Sequence, residues 1–155
     1  MTLKKDTNSL AKKMARAPRV PVEVLANQSQ INIDLMKDEF ELVMQNQIHD
    51  LVELLGSKDQ SKIATIYEVS SQIISSSSFV KADWISKAAQ SLCEIHETMA
   101  THHWDWEAAE VHGKTMQLLS NMSGKNEAAC NHLLTGLHAV VAAKRAQNEL
   151  LEPRK

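Results

Sequence analysis

The sequence predicts an all-α fold, an antiparallel bundle of four to five helices, on three observations. Apolar residues recur at three- and four-residue steps through most of the chain, the spacing of one helical face. Four glycines and three prolines punctuate 155 residues, too few breakers for the many turns of a β-sandwich or barrel. The links between periodic stretches are short, which favours antiparallel neighbours. A chain of this length can bury about two thirds of its unfolded surface, so one core suffices. A single domain over residues 21–155 is expected, preceded by an arm over 1–20.

Five helical stretches follow in order. Over 32–55, Ile33, Met36, Phe40, Val43, Met44, Ile48, Leu51, Leu54 and Leu55 form one face. Asn32 or Asp34 is placed to cap its start and Gly56 to end it. Over 59–78, beginning near Asp59, the face is Ile63, Ile66, Tyr67, Ser70, Ile73 and Ile74. Steps of 100° put Ala64, Ser71, Ser75 and Ser78 along one edge of that face, with Glu68 beside them, as a shelf of mostly small side chains. Serine hydroxyls compete for backbone hydrogen bonds, so the run Ser75–Ser78 predicts an irregular helix end. Over 83–100, with Asp83 as cap, the stripe is Ile85, Ala88, Ala89, Leu92, Cys93, His96 and Met99. Over 105–122, capped by Asp105 and ended by Gly124, Trp106, Ala109, Val111, His112, Met116, Leu119 and Met122 point mostly inward. The last, 126–151, buries Ala129, Leu133, Gly136, Leu137, Val140, Val141 and Ala143 and stops before Pro153.

Charge is unevenly spread. Residues 1–20 hold six Lys/Arg and one Asp, a balance of +5; the remainder holds eleven against eighteen acids, a balance of −7. The basic arm has no interleaved aromatics and ends at Pro18 and Pro21, so it predicts a loosely held tail. The acidic body would repel a phosphate backbone, so no nucleic-acid partner is expected. No apolar run is long enough to span a membrane, and no apolar stretch follows the early lysines as in a secretory leader. Cys93 and Cys130 make no paired motif and predict reduced thiols in a cytoplasmic protein.

Reactive residues are few apart from seven histidines. Glu107 lies four residues after His103 and could share a face with it, but His112, five further on, does not. There is no HExxH and no Glu-x-x-His. Cys93 and His96 can touch at i, i+3, yet a thiol on an apolar stripe is not activated. The glycines are isolated, so no phosphate loop exists. The sequence therefore predicts no metal, no cofactor and no enzyme.

The segment 63–97, from Ile66-Tyr67-Glu68-Val69 through Ser75–Ser78 and Phe79 to Ser91-Leu92-Cys93, resembles histidine phosphotransfer domains of the small stand-alone alphaproteobacterial type. These are helical bundles whose pattern is an apolar helix carrying His-x-Leu-Lys-Gly, a small-residue stretch, a turn and a second helix. The resemblance implies a receiver domain or a histidine kinase as partner, within two-component phosphorelay signalling. It also implies a docking surface of Ala64, Glu68, Ser71, Ser75 and Ser78. The acceptor histidine is replaced by Ser71, the leucine by Ile73, the lysine by Ile74 and the glycine by Ser75. Serine is a poor acceptor of an aspartyl phosphate without an activating base, and isoleucine cannot stand in for an ammonium. The expectation is thus a degenerate module that binds its partner without taking phosphate. One alternative is an active phosphotransfer protein using His49, on the polar face of the first helix with Asn46 and Glu53. The other is an unrelated helical adaptor, for which a homodimer is possible.

Overall fold

A computed structural model describes residues 21–99, 104–122 and 125–151. The expected arm over 1–20, Gly124 and Pro153 lie outside the described residues. Those described form α1 (Val22–Ser57), a 3-10 turn (Gln60–Lys62), α2 (Ile63–Phe79), α3 (Asp83–Met99), α4 (Trp106–Met122) and α5 (Glu127–Leu151), with no strand among them. The fold is the expected all-α helical bundle. Contacts divide the chain into two units, Met1–Met36 and Lys37–Lys155. In the first, the described residues form the leading turns of α1.

The helix α1 begins ten residues before its periodicity suggests. The Pro21 carbonyl accepts from the N–H groups of Val24 and Leu25 at 3.0 and 3.2 Å. Proline at a helix start loses no hydrogen bond, so here it opens a helix that its position seemed to forbid. Asn32 and Asp34 lie inside α1 and cap nothing. Ile33, Met36 and Val43, expected inward, are exposed, and the buried row is Met44, Ile48, Leu51 and Leu55. Gly56 does not end the helix. Ser57 is its last residue, and Lys58 takes the left-handed conformation at φ 52°.

Asp59 caps the short turn, accepting from the Ser61 N–H at 2.9 Å. The serine-rich end of α2 is regular, against expectation. Ser71, Ser75 and Ser78 hydroxyls donate to the carbonyls four residues back, and Ser76 donates to the Gln47 side chain of α1 at 2.9 Å. Each hydroxyl bonds to a carbonyl already in the helical ladder or to another helix, so the ladder survives. The helix then closes in a Schellman turn: Ala82 N–H donates to the Ser77 carbonyl and Lys81 N–H to that of Ser78, with Lys81 at φ 59°. A lysine there has a Cβ that the left-handed conformation disfavours by about 1 kcal/mol. Lys81→Gly is therefore expected to stabilise the protein by about 0.5–1 kcal/mol, read as a higher urea midpoint. An unchanged or lower midpoint would show that glycine's greater freedom in the unfolded chain offsets the relief.

Helix α3 is central, packing on α2, α4 and α5. Its partners run in both directions. Tyr67 meets His96 across α2–α3, and Ser91 meets His112 across α3–α4, both antiparallel. Glu94 pairs with Arg145 and Thr98 with Asn148, so α3 and α5 run parallel. Ile66, Ile73, Ile85, Ala88, Ala89, Leu92, Met116 and Leu137 form the core. Ile95 joins the α3 stripe fully buried, while Cys93 and His96, expected within it, are only half-buried. In α4, Val111 is exposed and Gly113 is inward. A Cβ at Gly113 would stand 2.7 Å from the Leu55 Cδ1 of α1, so glycine permits this close helix approach. Asp105 caps α4 as expected, accepting from the Ala108 N–H, and Asn126 does the same for α5. Gly136 and Ala143, expected buried, face solvent; Cys130 and Leu134 are buried instead.

Candidate functional site

The small-residue shelf lies on the outer edge of α2. Ala64, Glu68, Ser75 and Ser78 are exposed and Ser71 is half-buried, whereas Ser70, Ser76 and Ser77 turn inward. Ser71 is the middle residue of the helix. Its hydroxyl donates to the Tyr67 carbonyl at 3.1 Å. The side chain beside it is Cys93 of α3, a contact made by the antiparallel α2–α3 hairpin. Burial pushes the Cys93 thiol above its ordinary value, an effect the Ser71 hydroxyl opposes and Glu97 reinforces. The thiol is therefore protonated near neutral pH and is no nucleophile.

One turn along the same face, Tyr67 packs on His96 with ring centroids 4.7 Å apart, and His96 meets Trp104 edge-on at 5.6 Å. Trp104 in turn meets Trp106 at 5.7 Å. The His96 ring is partly stripped of water, which lowers its pKa, with the Glu97 charge acting the other way. The contact of Tyr67 with His96 was missed in sequence because His96 belongs to another helix. Counting outward from the turn at Lys81 would have found it, since Tyr67 and His96 lie 14 and 15 residues from that turn.

Among the described residues the face carries no assembled chemistry. No lysine or arginine stands within α2, so nothing on that helix supplies the cation that steadies a phosphoryl group. Ile74 is half-buried against the core. His49 stands away from the shelf, exposed on α1, with Nε2 3.2 Å from Glu53 Oε1. A carboxylate so close repels an incoming phosphoryl group.

A serine–histidine pair does occur, inside the core. Ser91 and His112 are 2 % and 0 % exposed. His112 Nδ1 lies 2.7 Å from the Ala108 carbonyl, which can only accept, so Nδ1 carries the proton. Nε2 is then an acceptor, and the Ser91 hydroxyl donates to it at 2.9 Å. No substrate reaches two such buried groups, and the pair is a polar clasp between α3 and α4. Among the described residues no three histidine, cysteine or acidic side chains group as a metal site. His102 and His103 lie outside the described residues. No helix among those described is long and apolar enough to cross a membrane.

Comparison with family models, with curated proteins and with solved structures finds no match to this chain.

Proposed function

We propose that the protein is a histidine-phosphotransfer-like docking module that binds a receiver domain or a histidine kinase and accepts no phosphate. The observation that carries this reading is the placement of Ser71. It stands at the midpoint of α2, accessible at the edge of a shelf of small side chains, with its proton already committed to Tyr67. Small residues let a partner helix approach closely, and a tied hydroxyl without a base or a cation takes no part in group transfer. The contact surface is then Ala64, Glu68, Ser71, Ser75 and Ser78. This reading implies a cytoplasmic protein without a cofactor.

The test is a pulldown against receiver and kinase domains of the source organism, wild type beside Ser75→Arg. Ser75 is exposed, so the change should shift stability by no more than about 0.5 kcal/mol. It places bulk and an unpaired charge at the interface centre and should abolish capture. Equal capture by the variant, or no capture by the wild type, would sink the reading. An acid-labile phosphohistidine on the wild type after incubation with a phosphorylated receiver, lost in His49→Ala, would establish the displaced-histidine alternative instead.

A further inference from the structure

A cleft of about 300 Å³ lies where the α2–α3 turn meets α1 and the end of α4. Every residue that lines it falls between 37 and 120, inside the second of the two units. The buried Met44, Ile85 and Leu119 and the half-buried Trp84 give it an apolar floor. Lys87 Nζ stands 5.6 Å from the centroid of the Trp84 ring and helps to hold the indole in place. Charges of both signs complete the lining: Lys37, Asp38 and Glu41 from α1, and Lys81 from the turn. Among the described residues none of these four forms an ion pair.

Lys81 is held there by a strained backbone. Its left-handed conformation, φ 59°, is one that glycine at the same turn position adopts freely. Such strain persists where the side chain has a use. Lys58, the other left-handed lysine, has Glu110 Oε1 3.8 Å from its ammonium, whereas the Lys81 ammonium lines the cleft. The mixed charges select the occupant. Asp38 and Glu41 repel a phosphate or a nucleotide, the two lysines repel an organic cation, and a wholly apolar molecule would desolvate all four for no return. A zwitterion satisfies both signs, with an apolar side chain left to cover Met44 and Trp84. Ligand clefts span about 300–1,000 Å³, so this one is at the small end, the size for a single amino acid rather than a peptide.

We propose that this cleft binds a free α-amino acid with an apolar side chain, its carboxylate on Lys37 and Lys81 and its ammonium on Asp38 and Glu41. The cleft shares no residue with the docking surface of α2, so the two sites are tested apart.

Calorimetric titration of the full chain with L-leucine and with L-phenylalanine should give a Kd of about 100 μM for at least one of them, ordinary for so small a ligand. The N-acetyl derivative of that amino acid lacks the ammonium and its amide lacks the carboxylate; each should bind about tenfold more weakly. Lys81→Gly separates binding from folding. The variant expected to raise the urea midpoint should at the same time weaken amino-acid binding about tenfold. Glu41→Gln, at an exposed position of α1, should weaken it in the same direction. No uptake of either amino acid up to about 10 mM, equal affinity for one of the blocked derivatives, or an unchanged affinity in Lys81→Gly would each overturn the inference. The chain is used whole, so a cleft closed by residues 1–20 would also read as no uptake.

Discussion

Replacing His112 with alanine is expected to cost about 3–5 kcal/mol, read as a large fall in the urea midpoint at pH 7.5. Two losses combine. A ring that is fully buried between α3 and α4 leaves a cavity, and the Ser91 hydroxyl, 2 % exposed, loses its acceptor. An unpaired buried hydroxyl alone costs about 1–3 kcal/mol. His112→Phe separates the two, since it keeps most of the volume and still orphans Ser91. Adding Ser91→Ala to it should recover part of the loss. If the double variant is no more stable than His112→Phe alone, the clasp contributes volume and nothing else.

The same ring sets a pH dependence. Burial lowers the His112 pKa from its ordinary 6.5, the hydrogen bond to Ala108 works against that shift, and the charge of His138 adds to it. Above about pH 6.5 the ring is neutral in both folded and unfolded chains, and stability is flat. Below it the unfolded chain takes up a proton that the buried ring refuses, so stability falls as the pH drops toward the folded-state value. His96 is shifted the same way by burial and adds to the slope. Asp59 and Asp105 have pKa values lowered by the Ser61 hydroxyl and by Lys144 respectively. Their contribution is present above their unfolded value of 3.8 and is lost only below it. Midpoints measured between pH 7.5 and 4.5 therefore isolate the histidines. His112→Phe should flatten that profile, and an undiminished slope would assign it to other groups.

Ile73→Ala is the other large effect, about 2–5 kcal/mol. Ile73 is fully buried, in the core with Leu92 and Met116. It also fixes the phase of α2. Two residues before it, Ser71 stands at the edge of the shelf, so a cost below about half a kcal/mol would turn that helix on its axis and take the shelf off the surface. Val43→Ala on α1 supplies the contrast. Val43 shares the apolar periodicity but is 44 % exposed, so its truncation should barely register.

Most of the bundle was legible because the buried rows of α2 to α5 repeat largely at helical steps. Ile66, Ile73, Leu92, Leu119 and Leu137 could be named as core from spacing alone, and all five are buried. The start of α1 was not legible. Its first ten residues have no inward row, and Pro21 looks like a breaker until its carbonyl is seen accepting from the first turn. Gly56 and the serine run misled for one shared reason. Glycine and serine bias a helix toward ending, and here the ladder and the left-handed Lys58 and Lys81 settle the matter a few residues on. On the candidate site, helical steps placed the shelf correctly on an accessible edge of α2. They could not supply Cys93 and His96, because a one-helix projection carries no information about the neighbouring helix. Cys93 shares the apolar spacing of the α3 stripe but lies beside Ser71 at the edge of the α2–α3 contact, where it is only half-buried.

The parallel pairing of α3 with α5 has a consequence for the order in which the chain assembles. The α2–α3 hairpin closes over a short turn, and its contacts are local. The Glu94–Arg145 and Thr98–Asn148 contacts join residues 51 and 50 apart. Loop closure of that length is entropically slower to be repaid than a hairpin. The hairpin is therefore the natural nucleus, with α5 docking late in folding. During synthesis, the central helix waits with its α5-facing side, Ile95 and Met99 included, uncovered until α5 itself, Glu127–Leu151, has emerged. That interval is when the chain is most open to misassembly, with an apolar groove on the nascent bundle and its own closing helix still to come.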